Sequence, residues 1–173
     1  MHVVVLDSHA PFAGEGVLWK AAEGEPAYRR VVDVADGEAL DRSTAPPGVD
    51  RVWVGRQLQP GDLHAPPSAA VLLMMGHDPA EGSEDEFNAW MDEEHLPALA
   101  AVPGVLAARR YGADRQGFPP YFALYHLSEP GVLTSDAWRQ AGGSARAERV
   151  RERMRGRVRG LFVPADEQVE VRP

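Results

Sequence analysis

The run Phe87-Asn88-Ala89-Trp90-Met91-Asp92-Glu93-Glu94-His95-Leu96-Pro97 is the part of the chain whose residue types best suit chemistry. An imidazole can carry a proton near neutral pH, and an amide or carboxylate beside it can fix its orientation. At roughly 100° per residue, Phe87, Asn88, Met91 and His95 fall on about one third of a helix circumference. A polar stripe therefore shares a face with apolar residues. His95 becomes a candidate general acid/base, Asp92 or Asn88 its orienting partner, and Trp90 a wall. The plainer reading is a core histidine whose nitrogens those two neighbours satisfy.

The elements that must position these residues follow from local signals. Ser83 with Glu86 three residues on makes a capping box, and Glu84 and Asp85 suit the helix dipole. Pro97 predicts a helix ending near His95 and a short second turn to Val102, after which Pro103-Gly104 stops it. Strands are predicted over Ala69–His77, Val105–Tyr111 and Tyr121–Leu127, and from about Val158 to Val163. A helix capped at Thr134 or Ser135 is interrupted at Gly142-Gly143 and resumes over Ala145–Met154. Residues 68–173 thus read as a ferredoxin-like βαββαβ domain.

Residues 59–67, with three prolines, read as a linker. Residues 1–58 read as a smaller β-rich half. Strands are predicted at 2–7, 28–34 and 51–58, a short helix at Gly14–Ala22, and a helical turn at Glu38–Arg42. Their order resembles an abbreviated copy of the second half, without residue identity enough to assert a repeat. A four-stranded sheet with both helices on one side leaves an apolar face to cover. Either the N-terminal half covers it, or a second chain does.

Strand alternation sorts the other polar candidates into faces without choosing which face lines a pocket. His77, Arg109, Tyr111, Tyr121 and Tyr125, with His95, make a plausible aromatic-walled set for a flat, largely apolar ligand. Each has an ordinary alternative, since tyrosines and tryptophans commonly pack helix against sheet.

The motif Phe87-Asn88-x-Trp90-x-x-Glu93-Glu94-His95-Leu96-Pro97, then Val102-Pro103-Gly104 and Ala108-Arg109-Arg110-Tyr111, resembles the dimeric α/β-barrel superfamily, and within it EthD-like bacterial proteins. The resemblance spans residues 68–167. It implies a homodimer whose sheets pair into a barrel. Its members include cyclases, decarboxylases, cofactor-free monooxygenases and proteins without known activity.

Composition narrows the classes further. The 173 residues carry a formal net charge of -8, which disfavours nucleic acid, and no cysteine, which removes disulfides and thiolate chemistry. No apolar run reaches membrane-span length and no export signal opens the chain, so a cytoplasmic protein is expected. Neither metal-ligand spacing nor a phosphate loop occurs, so no cofactor is expected. The functional expectation is a cofactor-independent enzyme on a hydrophobic, oxygenated, aromatic or polyketide-like metabolite. It would catalyse cyclisation, dehydration or decarboxylation through His95, with a tyrosine or Arg109 stabilising the developing charge. The alternatives are a cofactor-free monooxygenase and a non-catalytic, small-molecule-binding or stress-related dimer.

Overall fold

Val3, Val5 and Asp7 alternate with Val4 and Leu6 along the first strand, and both sets are buried. A strand buried on both faces must have a second layer on each side. The computed structural model, which describes residues 1–22, 26–34, 45–61, 63–114 and 118–165, shows what those layers are. The strands are β1 (His2–Ser8), β2 (Leu18–Ala21), β3 (Tyr28–Val34), β4 (Arg51–Gln59), β5 (Val71–Pro79), β6 (Val105–Ala113), β7 (Tyr121–Leu127) and β8 (Met154–Pro164). They close into a barrel in the order β1-β3-β2-β8-β5-β7-β6-β4. Every pairing in it is antiparallel.

All eight strands contribute to the interior, where Val3, Val5, Trp19, Val31, Trp53, Leu72, Met74, Tyr111, Phe122, Leu124 and Phe162 form one cluster. This topology corrects the expected α+β architecture. Strands dominate, and the barrel is not a ferredoxin-like βαββαβ unit completed by a second chain. The inner apolar face of β5, β7 and β6 is covered by Val3, Val5, Trp19, Val31 and Trp53 of the same chain. Pairing of two chains, the expected route to closure, is replaced by β4–β6 and β2–β8 pairing within one.

The helices lie against the outer face of the β8-β5-β7-β6 side. They are α1 (Glu84–Trp90), α2 (Leu96–Ala100), α3 (Asp136–Gly142) and α4 (Ala145–Glu152). Phe87, Trp90, Met91, Leu96, Leu99, Ala147 and Val150 bury against Val71, Leu73, Ala108, Ala123, Tyr125 and Leu127. Each fully buried large apolar side chain contributes about 1.5–3 kcal/mol, so this layer fixes the helices in place.

Three local expectations change. The helix predicted at Gly14–Ala22 is instead strand β2, because Leu18 and Trp19 bury into separate clusters on opposite faces of the sheet. Tertiary burial overrides propensity there. Ser83 does not cap α1. Its hydroxyl donates to the Ala80 carbonyl at 2.7 Å. The helix also does not end at His95, since Met91–His95 form a π-helical turn that runs on into α2, with Leu96 N–H bonded to Met91 O. Pro97 has no N–H to give Glu93, and widening by one residue absorbs that loss. Ser135 and Ser144 cap α3 and α4, their hydroxyl oxygens accepting from the Trp138 and Ala147 amides at 3.1 and 3.0 Å. β8 begins at Met154, earlier than predicted. The predicted turn at Glu38–Arg42 lies outside the described residues, and no helix among those described is long and apolar enough to cross a membrane.

Candidate functional site

Phe87 is the hub of the helix-facing layer. Its ring centroid lies 5.4 Å from that of His77, 6.3 Å from Trp90 and 5.2 Å from Tyr121. The Arg110 guanidinium sits 5.2 Å from both the Phe87 and Tyr121 rings. Trp90 in turn stacks on His95, with centroids 4.1 Å apart and planes inclined by 25°. Alternation explains the grouping. Val71, Leu73, Met75 and His77 share the outer face of β5, and the register opposite Ala123 puts Arg110 on the same face as Tyr121 and Tyr125.

The hydrogen bonds around Arg110 are specific. Its guanidinium donates to the Asp92 carboxylate and to Asn88 Oδ1. Asn88 Nδ2 donates to the Tyr121 hydroxyl at 3.3 Å, and that hydroxyl donates to Glu84. Asn88 and Asp92 therefore serve Arg110. The expectation that they orient His95 is corrected, because the stronger demand comes from a guanidinium with 1% exposure.

Polar atoms here remain without partners. Both ring nitrogens of His77, the indole nitrogen of Trp90 and Nε of Arg110 are buried and unpaired. Such atoms are uncommon in folded proteins. Burial, and then Arg157, holds His77 down to about 3. Burial, followed by Arg151 and Arg157, holds His95 down to about 4. The helix end and the neighbouring Glu93 and Glu94 favour the protonated form of His95, and burial opposes them. Burial and the arginines of α4 and β8 win instead, so both imidazoles are neutral acceptors at pH 7. Burial also raises the Tyr125 and Tyr121 hydroxyls, which stay protonated.

Arg109 and Tyr111 belong to a different place. They point into the barrel, where Arg109 Nη1 pairs with Asp33 Oδ1 of β3 at 2.6 Å and Tyr111 joins the interior cluster. The six-residue pocket set expected from alternation is thus split. His77, His95, Tyr121 and Tyr125 lie toward the helices, and Arg109 and Tyr111 lie inside. Tyr125 packs edge-on against Trp138 at 5.4 Å. Arg110 is the residue that sequence reasoning missed. Its signal was its own adjacency to Arg109, since neighbours on a strand face opposite ways, and only the register with β7 chooses between them. Among the described residues, no group of three or more histidines and carboxylates could hold a metal ion.

No protein-family model matches the chain, and no curated protein does. Solved structures do match. One is the structure of a major regulator of staphylococcal pathogenesis, with a TM-score of 0.65 and 8% identity over 95% of this chain and 99% of that one. Another is a Fusobacterium nucleatum protein provisionally named a monooxygenase, with a TM-score of 0.52 and 8% identity over 94% and 90%. Identity this low shows a shared fold alone. The resemblance to EthD-like proteins is not confirmed by these matches. The expected lyase and cyclase activities also find no support in these matches and are set aside.

Proposed function

We propose that the layer between α1–α2 and the outer face of β5, β6 and β7, closely packed in this structure, parts to receive a flat, oxygenated aromatic molecule and promotes its reaction with molecular oxygen without a bound cofactor. The observation that carries this reading is the pair of unpartnered groups on one aromatic ring. Neutral His77 and Arg110 Nε are both buried and unpaired against Phe87. A neutral imidazole accepts a hydrogen bond from a phenolic or enolic O–H, and a buried guanidinium stabilises negative charge as it develops on that oxygen. His95, stacked on Trp90, is a second neutral acceptor in the same layer.

The chemistry suits an activated CH2 between aromatic rings. Removal of its proton gives a carbanion that transfers electrons to oxygen. One oxygen atom ends as a carbonyl on the former CH2, and the other leaves as water with the two hydrogens. The share of fold with a protein provisionally named a monooxygenase supports the choice of oxygen over other electrophiles. The test is oxygen uptake with phenolic substrates bearing a doubly benzylic CH2. One oxygen consumed per substrate, with a loss of about 100-fold or more in His77→Phe or His95→Ala, supports the assignment. Tight binding without uptake above buffer would make the layer a binding site only. Retention of more than about a tenth of the rate in His95→Ala would return that residue to packing.

A further inference from the structure

A cavity of about 290 Å³ opens at the end of the barrel where β7 finishes, walled by Trp19, Val31, Asp33, Pro66 and His126. It lies on the opposite face of the sheet from Phe87 and its neighbours, so it is independent of the oxygenation reading. An eight-stranded barrel is just wide enough to be filled by side chains or to hold one small ligand. Here the end of the barrel is not filled.

The walls state what would fit. His126 has 1% exposure, and its Nδ1 finds no partner. Burial, with Arg109 next, holds its imidazole down to about 3, so it is neutral and offers one donor and one acceptor. Its ring meets Trp19 edge-on at 6.0 Å, which fixes its plane. Asp33 carries a charge but is already used. One oxygen takes Arg109 Nη1 at 2.6 Å and the other takes the Ala65 amide at 2.8 Å. The pair is neutral as seen from the cavity, and exposed Glu15 at the rim adds a negative charge that opposes anions. Val31, Pro66 and Trp19 supply apolar surface.

We propose that this cavity is a second small-molecule site, for a neutral apolar ligand of one or two rings bearing a single hydroxyl or carbonyl that hydrogen-bonds His126. Its volume sits at the lower end of ligand pockets, which excludes larger polycyclic molecules. A buried neutral histidine beside an apolar wall selects for the polar group, because a ligand lacking it leaves the ring nitrogen unpaired.

The test uses 1-naphthol in anaerobic buffer, so that nothing is turned over at the helix-facing layer. Protein amide and indole NMR signals are followed in the full chain. Saturable movement of the Trp19 indole signal is expected, with naphthalene about tenfold weaker and 1-naphthoate without effect. Ala65→Trp at the rim should abolish the response. His126→Phe, which removes the unpaired nitrogen and should fold at least as well, should bind naphthol and naphthalene alike. The proposal is overturned if the native chain binds the two equally, if Trp90 moves and Trp19 does not, or if no signal moves at millimolar ligand.

Discussion

Trp90 and His95 stack across the π-helical turn, with ring centroids 4.1 Å apart. The five-residue span between them exists because the helix widens ahead of Pro97. The stack shields one face of the imidazole and contributes to the burial that holds it down to about 4. The neutral ring is the working form of a base. The acid limb of the pH–rate profile should therefore fall near 4 and not near 6.5, with full rate above about pH 5. A limb at 6.5 in steady-state kcat/KM would show an imidazole open to water.

Stability should depend on pH through three buried histidines. His77, His95 and His126 are held at about 3, 4 and 3, below the 6.5 of an unhindered histidine. The unfolded chain then binds more protons than the fold at acid pH, so their contribution is complete above about 6.5 and is lost as pH falls toward 4 and 3. Each group accounts for about 1.4 kcal/mol per pH unit within that window. Urea midpoints should drop clearly between pH 7 and pH 5.5, and His126→Phe should shallow the slope by about one third.

Asp33 and Arg109 tie β3 to β6 across the barrel interior, and Arg109 has 0% exposure. Asp33→Ala leaves that charge buried without its carboxylate and should cost about 3–5 kcal/mol. Arg109→Met added to it should recover much of the loss. Denaturant titrations of the two variants check this, and equal midpoints would mean that water reaches the guanidinium.

Gly55 on β4 is required by the ring beside it. A Cβ there would lie 2.2 Å from Trp53 Cη2 and 2.6 Å from the Gly112 carbonyl oxygen. Trp53 is anchored by its indole N–H to the Pro119 carbonyl at 3.0 Å, so it cannot simply swing away. Gly55→Ala should cost about 1–3 kcal/mol by overpacking, read as a lower thermal midpoint.

Residues 68–173 alone would expose the inner faces of β5, β7 and β8, including Leu72, Met74, Phe122, Leu124 and Phe162. That fragment should self-associate or precipitate, whereas the full chain covers the same surface itself. Elution of the fragment as a stable monomer in size-exclusion chromatography would contradict this account of closure.

Much of the local structure was legible. Apolar alternation located seven of the eight strands, and Ser135, Gly142-Gly143 and Pro103-Gly104 bounded the helices. β2 was not legible, because four residues flanked by Gly14 and Gly16 carry too short a pattern to outweigh helix-like spacing around Trp19. Alternation also told Arg109 from Arg110 as facing opposite ways. It could not tell which of them met His77 and Tyr121.

The chain by itself determined where seven of the strands would lie, that Phe87, Met91 and His95 would share one side of a helix, and that some second layer must cover the sheet. Those are consequences of residue type and period, which act within a few neighbours along the chain. Tertiary structure alone decided that β1, β2, β3 and β4 supply that layer, that Asn88 and Asp92 bind Arg110, that His77 and His95 are neutral, and that a cavity beside His126 stays open. Register, desolvation and unfilled volume depend on atoms brought together from distant parts of the chain, and no local pattern encodes them.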